Sequence, residues 1–270
     1  MDQIGLAHLS KMIYEHCGID YRKQEATLSS KIASRLRELG LTSSEYATYL
    51  KTKDTEWDKL IELITVNETY FFREDKVLEE FQKLLLQYQN RSVHQPLRIW
   101  SAACSSGEEP YTLAMLIKEK ALFPPGAVQI IASDINPKIL QKAKSGLYHK
   151  KSLSFRKMPD TMLRKYFLPQ EEEYQIINEV KEMIEFRRLN LFDPYLVGKM
   201  EKIDILFCRN VLIYFDGKAI QKIVNSFADI MKPGGYLFLG HAETITGTSR
   251  AFETIYQSSV FYYRRKGECP

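Results

Sequence analysis

The chain has 270 residues, 44% hydrophobic and 27% charged, with a formal net charge of +4. That is material for one large core, or for a main domain with a smaller companion, and too mild a charge to indicate nucleic acid by itself. Cys17, Cys104, Cys208 and Cys269 lie far apart without a Cys-x-x-Cys pair, which argues against a structural zinc site or a secreted disulfide framework and for a reducing, cytoplasmic setting. No apolar run approaches the ~18 residues of a membrane helix, and Asp2, His8 and Lys11 interrupt the N-terminus, so neither membrane insertion nor a signal peptide is expected.

Residues 1 to about 90 read as an all-helical domain. Leu28, Ile32, Leu36 and Leu39 recur at helical spacing, as do Leu60, Ile61, Leu63 and Ile64, with Gly18 and Gly40 as turn signals. Five basic residues from Arg22 to Arg37 face one acid, Glu25. Lys31 and Arg35, one turn apart, border the apolar stripe, whereas Arg37 projects to another side. Either an acidic macromolecular partner or a solvated face accounts for them. The polar stretch Gln87 to Gln95 reads as the linker to a second domain, 91–270.

After Pro96, short apolar runs alternate with amphipathic helices, the pattern of an α/β fold with a mostly parallel sheet covered on both faces. Strands are expected at 98–103, 128–133, 185–191, 203–208 and 236–240. Helices are expected at 111–120, 137–145 and 218–231, the last closed by the breaker Lys232-Pro233-Gly234-Gly235. Between Tyr166 and Arg188 strand-like pieces alternate with charges, predicting a small antiparallel excursion, and 260–263 reads as an edge strand. The stretch 138–170 holds nine basic residues against one acid, Asp160.

The most informative string is Arg98 to Met115, where an apolar strand ends in Cys104-Ser105-Ser106-Gly107-Glu108-Glu109-Pro110 and turns helical. Small residues permit close backbone approach, Pro110 suits the first helical position, and the helix N-terminus then points into a crevice at the strand's carboxyl end. Glu108 and Glu109 repel a phosphate, so the expected ligand carries hydroxyls or positive charge; S-adenosylmethionine, with a sulfonium and two ribose hydroxyls, fits. Asp134 ends the second strand where a nucleotide fold places a ribose-binding carboxylate, although an Asp there also suits the cap of the helix starting near Pro137. A dehydrogenase is disfavoured because Gly107 stands alone, without a Gly-x-Gly-x-x-Gly turn.

Three further strings stand out. In Cys208-Arg209-Asn210-Val211-Leu212-Ile213-Tyr214-Phe215 polar groups interrupt a buried run at a strand end, so Asn210 needs a partner, backbone or adenosine; Tyr214 is a pocket residue or a packed ring. In Thr65-Val66-Asn67-Glu68-Thr69-Tyr70-Phe71-Phe72-Arg73-Glu74, Asn67 and Thr69 suit a lid and Arg73 either a carboxylate clamp or a salt bridge to Asp75 or another acid. His241-Ala242-Glu243 is too short a cluster to hold a metal, and no metal or Gly-x-Ser-x-Gly hydrolase site is predicted.

Taken in order, the 65–74 string, Trp100 to Tyr111, Ala132-Ser133-Asp134-Ile135 and the 208–215 string closely resemble the chemotaxis receptor glutamate methyltransferases, the CheR family. The likeness runs from the basic helix near Lys31 to the strand near Tyr263. It implies a Rossmann-like S-adenosylmethionine-dependent methyltransferase fold with an N-terminal helical domain. It implies cofactor contacts from Asn67, Thr69, Arg73, Glu109, Asp134, Asn190, Leu191, Asn210 and Val211, with Arg73 and Tyr214 beside the transferred methyl. It further implies that Lys31, Arg35 and Arg37 meet acidic cytoplasmic helices of membrane chemoreceptors, that the antiparallel excursion grips a receptor tail in some relatives, and that the enzyme acts as a monomer. Ala242 and Cys104 depart from serine and alanine common in relatives, at no expected contact.

The implied reaction displaces a methyl group from sulfonium with a glutamate carboxylate, leaving S-adenosylhomocysteine. That nucleophile, with an ordinary pKa of about 4.3, is ionised at neutral pH and needs no base. Two other readings stand beside it: a nucleic-acid methyltransferase, which lacks an Asn-Pro-Pro-Tyr-like loop at Arg209-Asn210-Val211, and a binding module without catalysis.

Overall fold

The computed structural model describes residues 2–257 and 260–267; Cys269 lies outside them. Five helices open the chain: α1 (Gln3–Cys17), α2 (Glu25–Leu39), α3 (Ser43–Thr52), α4 (Asp54–Ile64) and α5 (Asp75–Leu84). Local chemistry sets their ends. Asp2 caps α1 by accepting from Gly5 N–H, Gly18 closes it in the left-handed region, and Thr42 with Glu45 forms a reciprocal capping box on α3. Leu28, Ile32 and Leu36 meet Leu60, Ile61 and Ile64 in one buried cluster, as their spacing predicts.

The fifth helix departs from expectation. Val77, Leu78, Phe81 and Leu84 of α5 pack with Ile99, Ile205 and Phe207 of the sheet, so 75–84 belongs to the sheet's core rather than to the helical bundle. An amphipathic stripe specifies a buried face without specifying what covers it.

Then come β1 (Leu97–Ala102), α6 (Glu108–Lys120), β2 (Val128–Asp134), α7 (Pro137–Ser145), β3 (Leu147–His149), α8 (Asp160–Tyr166), β4 (Phe167–Pro169) and β5 (Glu173–Ile176). The chain continues with α9 (Asn178–Lys181), β6 (Ile184–Arg188), α10 (Pro194–Gly198), β7 (Ile203–Cys208), α11 (Gly217–Ile230), β8 (Met231–Leu239), β9 (Phe252–Gln257) and β10 (Val260–Arg265). The large sheet has the order β6-β2-β1-β7-β8-β10-β9, parallel from β6 to β8 and antiparallel beyond. Strand order reverses between β1 and β7, which opens a crevice at their carboxyl ends.

Five boundaries differ from the sequence reading, the first being that the strand expected at 185–191 is β6 and ends at Arg188. The antiparallel excursion is a sheet of order β3-β5-β4, so it starts at Leu147 and ends at Ile176, while β6 pairs in parallel with β2 in the main sheet. Three-residue strands carry too few alternations to be read from pattern. The 260–263 segment lies inside β10 between β8 and β9, and β9, which went unread, is the edge. Lys232 to Gly235 opens β8 instead of forming a loop: Gly234 takes φ 79°, the pairing register shifts opposite Ile203 and Ile205, and a Cβ on Gly235 would stand 2.8 Å from Asp204 O. Finally, α6 starts at Glu108, so Pro110 is its third residue, a position whose N–H has no intrahelical partner anyway.

The helical region closes over the carboxyl end of the sheet. His16 stacks on Trp57 at 4.0 Å, Asn190 Nδ2 donates to His16 O at 2.7 Å, Asn136 Nδ2 donates to Thr65 Oγ1 at 2.9 Å, and Asp20 N–H donates to Tyr214 O at 3.1 Å.

Candidate active site

The loop after β1 is held in a tight reversal. Ala103, Ser105 and Gly107 all take positive φ, at 54°, 51° and 93°, and a Cβ on Gly107 would stand 3.0 Å from Ala143 Cβ. Non-glycine residues there cost on the order of 1–3 kcal/mol each, which surrounding bonds must offset. Cys104 N–H donates to Ser133 O at 2.8 Å and Ser105 N–H to Asp134 Oδ2 at 2.8 Å.

These bonds answer the question left open at Asp134. The cap of α7 is Asn136, whose side chain accepts from Lys138 and Ile139 N–H, with Pro137 at the first helical position. Asp134 instead ties two strand ends together, its other oxygen accepting from Asn136 N–H at 2.9 Å. It is 6% exposed, and no cation pairs with it among the described residues. Burial pushes its carboxyl above the ordinary value, against the pull of backbone N–H groups of Asn136, Ser105 and Ile135.

The two consecutive glutamates diverge, being about 100° apart around a helix. Glu109 faces the cleft, accepting from Ser101 Oγ at 2.7 Å and from Arg209 Nη1 at 3.0 Å. Glu108 turns inward, 1% exposed, and accepts from Ser106 Oγ and Ser154 Oγ. The expectation that both acids charge the cleft is therefore corrected: Glu109 and Asp134 do so, and Glu108 does not.

Arg209 is the residue that pattern reading passed over. Its side chain is 3% exposed and bridges Glu109 and Glu74, the latter at 2.9 Å, while Nη2 donates to Arg73 O at 2.8 Å. It thereby clamps the 65–74 segment, where Phe72 and Glu74 hold positive φ of 57° and 63°. An arginine ending a buried strand must be paired; that was the available signal, and its partners lie too far along the chain to be named from it. Arg73 itself makes only a marginal 4.0 Å contact with Glu74 and donates to Glu68 O at 3.2 Å, leaving its guanidinium on the cleft wall; Asp75 is not its partner.

At the end of β7, Asn210 takes φ 59°, held there by Glu243, whose carboxylate accepts from the N–H groups of Asn210, Leu212 and Gly240 at 2.7, 2.7 and 2.6 Å. Glu243 thus serves local geometry. Asn210 Oδ1 is buried and has no hydrogen-bond partner among the described residues. Tyr214 lines the cleft half-buried, and burial raises its phenol's pKa while Arg73 lowers it.

All ten expected cleft residues, Asn67, Thr69, Arg73, Glu109, Asp134, Asn190, Leu191, Asn210, Val211 and Tyr214, line one cleft enclosing about 1140 Å³, its open mouth included. The Asn190 amide also spans to α1, and its Oδ1 accepts from Phe192 N–H at 3.0 Å. The basic trio is elsewhere and is not uniform. Arg35 Nε and Nη2 donate to the two carboxylate oxygens of Glu56, at 2.8 and 2.7 Å, Lys31 Nζ donates to Ile64 O at 3.2 Å, and Arg37 is exposed. No helix among the described residues is long and apolar enough to cross a membrane.

Comparison with known proteins gives one family for both halves of the chain. Residues 67–261 match the family model described as CheR methyltransferase, SAM binding domain, and residues 4–65 match the CheR methyltransferase all-alpha domain. Chemotaxis protein methyltransferase 2 of Vibrio cholerae is 36% identical over 263 residues, covering 93% of this chain and 89% of its own. The chemotaxis protein methyltransferases of Borreliella burgdorferi and Escherichia coli are each 35% identical, covering 90% and 93% of this chain and 88% and 89% of theirs.

Proposed function

Because the chain belongs to the CheR family of S-adenosylmethionine-dependent methyltransferases, we propose that it methylates glutamate carboxylates on cytoplasmic helices of chemoreceptors, forming glutamyl methyl esters. The cleft suits the cofactor on chemical grounds. Among the described residues, Asp134 is a buried carboxylate without a counter-cation and Asn210 Oδ1 a buried acceptor without a donor, and Arg73 presents a cation in the same cleft. A molecule carrying ribose hydroxyls, an ammonium and a carboxylate meets all three needs. That convergence carries the reading.

When bound, S-adenosylmethionine supplies a methyl carbon made electrophilic by its sulfonium. Asp134 and Glu109 provide the negative charge that favours a cationic ligand here, and Arg209 keeps Glu109 aimed by pairing with it. Arg73 orients a carboxylate, of cofactor or substrate, and Tyr214 shapes the wall beside the reacting carbon. With the cofactor held by Asp134, Asn210 and Arg73, a glutamate oxygen lined up against it would be the acceptor of the methyl group it supplies. No proton moves, so no general base is required. Two opposite charges vanish in the step, and a cleft that excludes water favours it, because water stabilises the separated ions more than the neutral products. Orientation adds up to about 7–11 kcal/mol when alignment is good. The exposed Arg37 and the helices up to residue 64 are read as the receptor-facing domain, with the enzyme acting in the cytoplasm.

The test is transfer of labelled methyl to receptor-enriched membranes. We expect label that mild base releases, and turnover about 10- to 100-fold lower for Arg73→Ala, the range for a positioned charged contact. Label on RNA, or tight binding without transfer, defeats the proposal.

A further inference from the structure

One buried carboxylate joins the insert 147–176 to the cleft, and the methyl-transfer step leaves it unused. Glu108 Oε2 accepts from Ser106 Oγ at 2.7 Å and Oε1 from Ser154 Oγ at 2.8 Å. Ser106 belongs to the loop after β1, and Ser154 to the insert's short turn Leu153–Phe155. The connections extend further. Ser154 O accepts from Phe71 N–H at 2.9 Å, Tyr148 OH donates to Ser106 O at 2.6 Å, and Thr112 Oγ1 donates to Glu108 O at 2.7 Å while accepting from Phe72 N–H at 3.1 Å. Outside this joint, Arg156 of the insert pairs with Glu68 at 2.9 Å and lies 3.7 Å from the Tyr70 ring centroid.

Three pieces of chain therefore meet at Glu108: the loop after β1, the 65–74 wall and the insert. Glu108 has no ion pair among the described residues; Lys142 acts on it only through its field, and burial outweighs that and raises its carboxyl's pKa, so the buried charge is costly. A leucine would fill comparable space without that cost. What an apolar side chain would not supply is a pair of directional bonds to two separate segments. We propose that Glu108 is a positioning residue for cofactor binding, setting the register of those three segments through Ser106 and Ser154 without touching the cofactor.

The proposal rests on S-adenosylmethionine being the cofactor, but on no particular methyl acceptor. Binding of S-adenosylhomocysteine to the full chain, followed by calorimetry, therefore tests it without a receptor. Should the unaltered protein take up none, the cofactor reading itself fails. Ser154→Ala is expected to weaken binding about tenfold, the loss of one hydrogen bond to a charged group, and to speed hydrogen exchange at the Phe71 and Phe72 amides. Glu108→Ala should repeat both effects from the other side, which keeps the test valid if one variant folds poorly. Glu108→Gln offers an oxygen acceptor and an N–H donor to the same two hydroxyls, so its affinity should stay within about twofold. Unaltered affinity and exchange in the two alanine variants overturn the proposal. So does a loss in Glu108→Gln equal to theirs, since charge rather than register would then be the determinant.

Discussion

The helical region and the cleft both bury carboxylates, and they treat them in opposite ways. Glu56, 4% exposed, is gripped by Nε and Nη2 of Arg35 and by the Tyr46 hydroxyl at 2.8 Å, and the guanidinium holds its carboxyl below the ordinary range. Asp134, similarly buried and on the cleft wall, is met by backbone N–H dipoles without an ion pair among the described residues, and burial raises its carboxyl. A bundle that neutralises its charge internally is built for stability. A cleft that leaves charge uncompensated has part of its electrostatics completed by a ligand.

The largest effect should come from removing that uncompensated charge. Asp134→Asn is expected to weaken S-adenosylhomocysteine binding about 100-fold, since a charge-assisted hydrogen bond contributes ~1.5–3 kcal/mol, with a smaller loss of stability because the amide keeps one of the two acceptors that hold the Ser105 and Asn136 N–H groups; calorimetry and a thermal melt check it. A large stability loss at intact affinity would break the comparison.

Glu56→Gln should do the reverse. Breaking a largely buried pair costs about 2 kcal/mol here, after discounting for the partial exposure of Arg35, which for a chain of this size is roughly 4–8 °C in melting temperature. Cofactor affinity should hold. The pH dependence sharpens the contrast. The depressed Glu56 contributes stability above its unfolded pKa of about 4.3, and that contribution disappears as pH falls through the lower native value. The raised Asp134 and Glu108 oppose folding once pH exceeds their native pKa values, so acid relieves them. Melts from pH 7 to pH 3 should therefore show a shallower acid loss for Glu56→Gln than for the unaltered protein.

The smallest effect concerns docking. Arg35 is committed to Glu56, so reversing its charge would destabilise the bundle and mask any binding role. Arg37 is exposed, and Arg37→Glu should lower receptor methylation by roughly three- to tenfold, on the order of 1 kcal/mol for an interfacial charge, at unchanged product affinity. Equal methylation would remove Arg37 from the receptor-facing surface.

Much of this was legible beforehand. Parallel strands buried on both faces read as apolar runs, so β1, β2 and β7 were found within a residue or so of their ends. Pro137 after Asn136 marked the start of α7 at its true position. Short or irregular pieces were not legible: β3 has three residues, and β8 begins through a Pro-Gly-Gly stretch that usually interrupts strands. The assignment of α5 to the sheet's core also escaped, because its stripe of Val77, Leu78, Phe81 and Leu84 fits either neighbour.

Local patterning by itself put Glu109 at a helix start and Asp134 and Asn210 at strand ends, whereas Asn190, Leu191 and Val211 were expected only because the chain resembles the CheR family. Only the tertiary structure decided what each charge does in the cleft. Glu108 and Glu109 are adjacent and chemically identical, yet one locks three segments together and the other faces the cofactor site. Arg35 and Arg209 found their acids 21 and 100 residues away. Charge pairing is a property of distance in space, and no rule of spacing along the chain carries that information.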